Sequence, residues 1–207
     1  MDALVSPPTI RRLYEAGLPV LCLVVAARSW RTRGGGVTAR ELTFGFALSQ
    51  LVELLAVQLG RYRYPDWLLY FPPEPRWVPL GIGLAWAALL PVVMRISERI
   101  APVGTPRWGL GALDGLLAVG LDLVLDPAVS GEPLRLWLWR DTGMTPYRFW
   151  LLGVPVFNFV GWFLLVGVCG CQLRALEASA PSQRWWRFGG SLGLDLAVAA
   201  IVMRLPW

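Results

Sequence analysis

The stretch LAVGLDLVLDPAVSG, Leu117 to Gly131, reads as a membrane span, yet it carries Asp122 and Asp126 four residues apart and then stops at Pro127. A helix that is apolar nearly all round is surrounded by lipid or by packed protein. An ionised Asp at bilayer depth costs about 2.5–3.5 kcal/mol on insertion scales, so carboxyls in such a segment point into a bundle or a wet cavity. Each helical residue turns by about 100°, which places Asp114, Asp122 and Asp126 within an arc of roughly 120°. They share one face. Like charges held close together disfavour joint ionisation, so a protonated acid beside an ionised partner is the expected arrangement. A plainer reading stays open, in which Asp126 caps the span ahead of Pro127, Asp114 pairs with an Arg, and Asp122 alone is unexplained.

The rest of the chain supports a membrane setting. Of 207 residues, 56% are hydrophobic and 16% charged, which lies outside the range of ordinary soluble domains. All 19 basic residues are Arg, with no Lys and no His. Missing His removes the usual proton shuttle and the commonest metal ligand. Missing Lys removes Schiff-base chemistry, which excludes retinal-type pigments. Neither a cofactor nor a metal is expected. Cys22, Cys169 and Cys171 lie in apolar segments without a C-x-x-C pair, so they read as helix packing. The net charge of +5 is not a sign of nucleic-acid affinity here, because the arginines flank apolar runs as head-group anchors.

About 20 apolar residues cross a bilayer, and the chain offers six candidate spans: Leu13 to Ala27, Leu42 to Leu59, Trp77 to Met94, Trp108 to Leu125, Phe149 to Leu173 and Phe188 to Met203. The first resembles a signal peptide but is read as retained. The expected fold is therefore all-α, a polytopic transmembrane helical bundle of about six spans forming a single integral membrane domain over residues 1–207, in the cytoplasmic membrane. Two connections, GRYRYPDWLLYFPPEPRW and DPAVSGEPLRLWLWRDTGMTPYR, mix Trp, Tyr and Pro with charge. Such aromatic and Pro-rich segments lie at the interface or fold back as re-entrant caps. Loops one, three and five carry ten arginines against nine elsewhere, which the positive-inside rule reads as cytoplasmic. The pairs Gly111 and Gly115, and Gly189 and Gly193, allow close helix approach. They fit internal packing and a homo-oligomer equally well.

Glu53 lies in mid-span with Gln50 one turn away; its plain reading is an interhelical hydrogen bond or ion pair. Asp195 is isolated and reads as structurally paired. In WLLGVPVFNFVGWF, Pro155 frees a backbone carbonyl one turn earlier, and Asn158 follows at the disturbed turn, placed to hold a water or orient a carboxylate. Trp162, with Trp137 and Trp139 in the preceding loop, offers π faces that stabilise a cation. Singly, such aromatics are belt or packing residues. Combined with buried acids, they suggest a carbocation site.

The blocks LDLVLDP, WLW and GVPVFNFVGWF, with VELLAVQLGRYRYPDW upstream, together resemble the integral membrane carotenoid hydratases, which add water across the terminal 1,2 double bond of acyclic carotenoid ends. The resemblance covers roughly residues 53–163. It implies a cofactor-free hydration of a long-chain carotenoid or similar polyene: an acid protonates C2, a tertiary cation forms at C1, and water attacks it. Asp122 or Asp126 would be the acid, the other would steady the water or the cation, and Glu53 would be able to exchange roles with either. Asn158 would orient water, and Tyr62, Tyr64, Trp137, Trp139 and Trp162 would line the slot. Two rivals stand beside this reading. One is a noncatalytic pigment-binding or assembly subunit, which predicts acids paired with arginines. The other is a small proton-coupled transporter, which predicts an inverted repeat that the sequence lacks.

Overall fold

The computed structural model describes residues 7–65, 67–71, 77–139 and 149–204. Six helices run through them: α1 (Pro7–Arg33), α2 (Gly35–Gln58), α3 (Leu80–Ile100), α4 (Arg107–Ser130), α5 (Val156–Glu177) and α6 (Arg184–Arg204). The chain is an all-α bundle of the membrane type. By length and composition α3, α4, α5 and the segment Pro181–Arg204 are able to cross a membrane. Helices α1 and α2 stand beside them, but α1 carries Glu15 and arginines at both ends, and α2 carries Arg40, Glu41, Gln50 and Glu53. The outer surface is apolar where a soluble protein would be polar: Leu23 of α1 is 69% exposed and Val124 of α4 74%. Trp185 and Trp186 stand out at the start of α6, the position of an interfacial aromatic belt.

Small residues decide the tightest packing. α4 lies closely along α5, and a Cβ at Gly111 or Gly115 would run into the backbone carbonyls of Gly167 or Phe163. The first glycine pair therefore does the packing expected of it. At Gly189 and Gly193 of α6 an added Cβ would meet nothing within 4 Å, so this pair faces away from the bundle. Elsewhere α2 packs on α3, α1 on α3 and α2, and α6 on α5 and α2. Phe44, Leu48, Leu90, Met94 and Val166 are fully buried between them.

Two proline expectations are corrected. Pro127 does not stop α4, which continues one turn to Ser130, where the Ser130 hydroxyl donates to the Asp126 carbonyl at 2.8 Å. Pro155 does not distort the middle of a helix either. The residues read as the start of the fifth span form a hairpin, β3 (Trp150–Leu151) with β4 (Val154–Pro155), and Pro155 is the N-cap of α5. Leu152 and Gly153 turn the hairpin with φ of 54° and 78°, the paired positive values that a two-residue turn between right-twisted strands requires. Proline suits the cap because a helix leaves its first N–H groups unbonded.

The two aromatic loops meet. After α2 the strand β1 (Tyr62–Arg63) pairs antiparallel with β2 (Leu138–Trp139), in the loop after α4, with Tyr62 opposite Trp139 and Arg63 opposite Leu138. This short ribbon lies where α2 and α4 end and α5 begins, so it covers one end of the bundle. Parts of both loops, residues 72–76 and 140–148, lie outside the described residues.

Candidate functional site

One turn of α4 separates Asp122 from Asp126, which are 1% and 2% exposed. Because α5 starts at Val156, Asn158 stands in its first turn and reaches across to α4. Its amide nitrogen donates to Asp122 Oδ2 at 2.7 Å and to Asp126 Oδ2 at 2.8 Å, one hydrogen to each carboxyl. The other oxygen of Asp126 accepts from the indole nitrogens of Trp137 at 2.9 Å and Trp139 at 3.3 Å. Asp126 thus receives three N–H donors, and Asp122 receives one.

Glu53 of α2 is buried on the facing side of the ribbon. Its Oε2 accepts the hydroxyls of both Tyr62 and Tyr64, the latter at 2.5 Å. Burial and the adjoining Glu53 carboxyl push the Tyr64 phenol well above its ordinary range, so it remains an O–H donor. The ribbon's register stacks these groups: the Tyr62 and Trp139 rings meet edge to face at 5.0 Å, and those of Tyr64 and Trp137 at 6.3 Å. Glu53 and Asp126, from two helices, are thereby held by one aromatic cluster, and Asn158 ties Asp122 to it.

A cavity of about 380 Å³ opens beside them, within the usual size range of ligand pockets. Glu53, Asp122, Asp126 and Asn158 lie in its wall, as do all five aromatic residues singled out from the sequence. Its remaining walls are apolar. They come from α1 through Tyr14, Leu18 and Leu21, and from α3 through Ile82 and Leu89. Trp86 of α3 stacks on Trp162 of α5, with centroids 4.6 Å apart and planes at 26°. Sequence reasoning missed these α1 and α3 contributions. The one available signal was Trp86 amid Ala85, Ala87 and Ala88, where small neighbours leave space beside a large flat ring.

The other membrane acids do not join the cluster. Asp114 sits two turns further back on α4, about 12 Å along the axis at 1.5 Å per residue. It pairs with Arg174 of α5 at 2.5 Å and accepts the Ser97 hydroxyl at 2.5 Å. Gly170 makes room for this pair, since a Cβ there would collide with Asp114 Oδ2. Arg174 also reaches Glu98 at 3.1 Å. Asp195 of α6 accepts from Gln172 at 3.3 Å and keeps one oxygen without a partner among the described residues. By contrast, none of Glu53, Asp122 and Asp126 is paired with an arginine among the described residues. A hydrogen-bonded acid cluster at the end of an apolar slot can move protons beside a hydrocarbon that water does not otherwise reach.

No curated protein and no solved structure matches the chain. The family model described as carotenoid biosynthesis protein matches residues 17–204, nearly the whole length. A membrane bundle with an apolar slot suits lipid-like molecules, and on that match the chain belongs to the carotenoid biosynthesis protein family.

Proposed function

We propose that the chain adds water to the terminal 1,2 double bond of an acyclic carotenoid end. The observation that carries this reading is the unequal pair of carboxyls at the end of the apolar slot, with three N–H donors on Asp126 and one on Asp122. Donors favour the ionised form of the group they touch, so Asp126 is the carboxylate and Asp122 holds the proton. Asp122 gives that proton to C2 of the isopropylidene end, and the π electrons of the double bond form the new C–H bond. A tertiary cation remains at C1. The Asp126 carboxylate and the π faces of Trp137, Trp139, Trp162 and Tyr64 stabilise it. The oxygen of a water then bonds to C1, one water proton passes to a carboxylate of the cluster, and the product is a tertiary alcohol. No electrons are exchanged with an outside carrier.

The slot between α1, α3 and α4 takes the polyene tail. Its walls exclude bulk water, which strengthens each charge interaction at the cation and keeps the substrate from random protonation. Among the described residues Asp122, Asp126 and Glu53 have no arginine partner, which favours this reading over a noncatalytic pigment holder, in which paired acids are expected. The test is expression in a host that accumulates lycopene, followed by mass measurement of the pigment extract. A product heavier by one water is expected. Unchanged lycopene with well-folded protein in the membrane contradicts the proposal.

A further inference from the structure

Behind the acid cluster lies a second, smaller hollow of about 40 Å³ between α2, α5 and α6. Glu53, Tyr62, Trp86, Asn158 and Trp162 line both this hollow and the large slot, so they form the partition between them. Its other walls include Gly161, Leu165 and Ala199, and it ends on Val202 and Met203 in the last turn of α6. A water needs about 10–15 Å³ of such space, so the hollow has room for about three. A water also needs polar partners, and the partition supplies them.

Both hydrogens of the Asn158 amide are directed at Asp122 and Asp126, and its carbonyl Oδ1 accepts no hydrogen bond among the described residues. Glu53 is arranged alike: Oε2 accepts both tyrosine hydroxyls, while Oε1 accepts none among the described residues. Two open acceptors thus stand in the partition. A water that donates one hydrogen to each keeps its lone pairs for an electrophile.

We propose that this hollow is the binding site of the water that is added to the substrate, with Glu53 and Asn158 as its anchors. The inference rests on the hydration reading and assigns to it a separate water compartment. The water arrives from the α6 end of the bundle, not through the hydrocarbon slot, so the apolar walls stay dry while the nucleophile stays in reach. When its oxygen bonds to C1, one O–H bond breaks and the proton passes to Glu53 Oε1. The hydroxyls of Tyr62 and Tyr64 hold Glu53 Oε2 in place and leave Oε1 to receive it. Asp122, which lines the slot and not the hollow, regains its proton across the acid cluster, so exchange of that proton does not need the hollow.

The test fills the hollow without touching the acids. A Cβ at Gly161 would meet only Val202 Cγ1 at 3.9 Å, an ordinary contact, so Gly161→Ala is compatible with the fold. Ala199→Val fills the same space from α6. Wild type and both variants, reconstituted in lipid nanodiscs with lycopene in D2O, are followed for alcohol formed and for deuterium in recovered lycopene. Losing an ordered water lowers alcohol by about tenfold or more, while deuterium uptake persists because the cation forms and returns its proton. Alcohol undiminished in both variants, or alcohol and deuterium lost together, overturns the water site. Wild type that makes no alcohol overturns the hydration reading itself, and the water site with it.

Discussion

Arg174 of α5 holds Asp114 of α4 in a buried ion pair 2.5 Å long, on the same helix face that carries Asp122 and Asp126 further along. The two kinds of carboxyl look alike in sequence and differ in what surrounds them. Removing one partner of a buried pair leaves an uncompensated charge and costs about 3–5 kcal/mol. Asp114→Asn and Arg174→Met are therefore expected to lower thermal stability in detergent sharply. Asp122→Asn, which leaves no unpaired cation, is expected to shift the midpoint far less. Equal losses from the two asparagine variants would contradict the division of roles.

Trp137 serves Asp126 through its ring N–H at 2.9 Å and serves the slot through its ring. Trp137→Phe removes only the first. A hydrogen bond to a charged group is worth about 1.5–3 kcal/mol, so turnover is expected to fall by roughly 10- to 100-fold with pigment binding retained. Parallel measurement of bound pigment and product separates the two; loss of binding with unchanged turnover per bound pigment would contradict the assignment.

The two glycine pairs make a contrast that sequence spacing does not reveal. Gly115→Val pushes a side chain into the Phe163 carbonyl and is expected to cost about 1–3 kcal/mol or more. Gly189→Ala meets nothing within 4 Å and is expected to be neutral or to stabilise α6 by up to about 1 kcal/mol. Thermal unfolding of each variant checks the sign.

Asn158 joins two carboxyls that would otherwise repel, and its replacement tests that bridge. Asn158→Leu keeps the volume and removes both donors, so conversion is expected to fall by about 100-fold or more, the scale of lost acid–base catalysis. Conversion within a few fold of wild type would remove Asn158 from the account.

Much of the site was legible because it is local. Asp122 and Asp126 stand at helical spacing, and an intramembrane carboxyl is costly enough to need a reason. Asn158 with Trp162, and Tyr62 with Tyr64, sit in short blocks whose polar and aromatic residues have no other evident task. What escaped was set by pairings between distant segments. Nothing near Tyr62 announces Trp139 as its strand partner, because a two-residue ribbon has no period to detect. Likewise Tyr14, Leu18 and Trp86 are ordinary apolar residues until α1 and α3 close around the slot. The prolines misled for a related reason: a proline is read as a break, but Pro155 begins a helix and Pro127 is carried inside one.

The central claim is that Asp122 protonates a terminal alkene inside the slot. Wild type and Asp122→Asn, each reconstituted in lipid nanodiscs with lycopene and water enriched in heavy oxygen, test it most directly by mass spectrometry of the pigment. Labelled alcohol is expected from wild type and almost none from a folded, pigment-bound Asp122→Asn. Labelled alcohol from both at similar rates, or from neither, would contradict it.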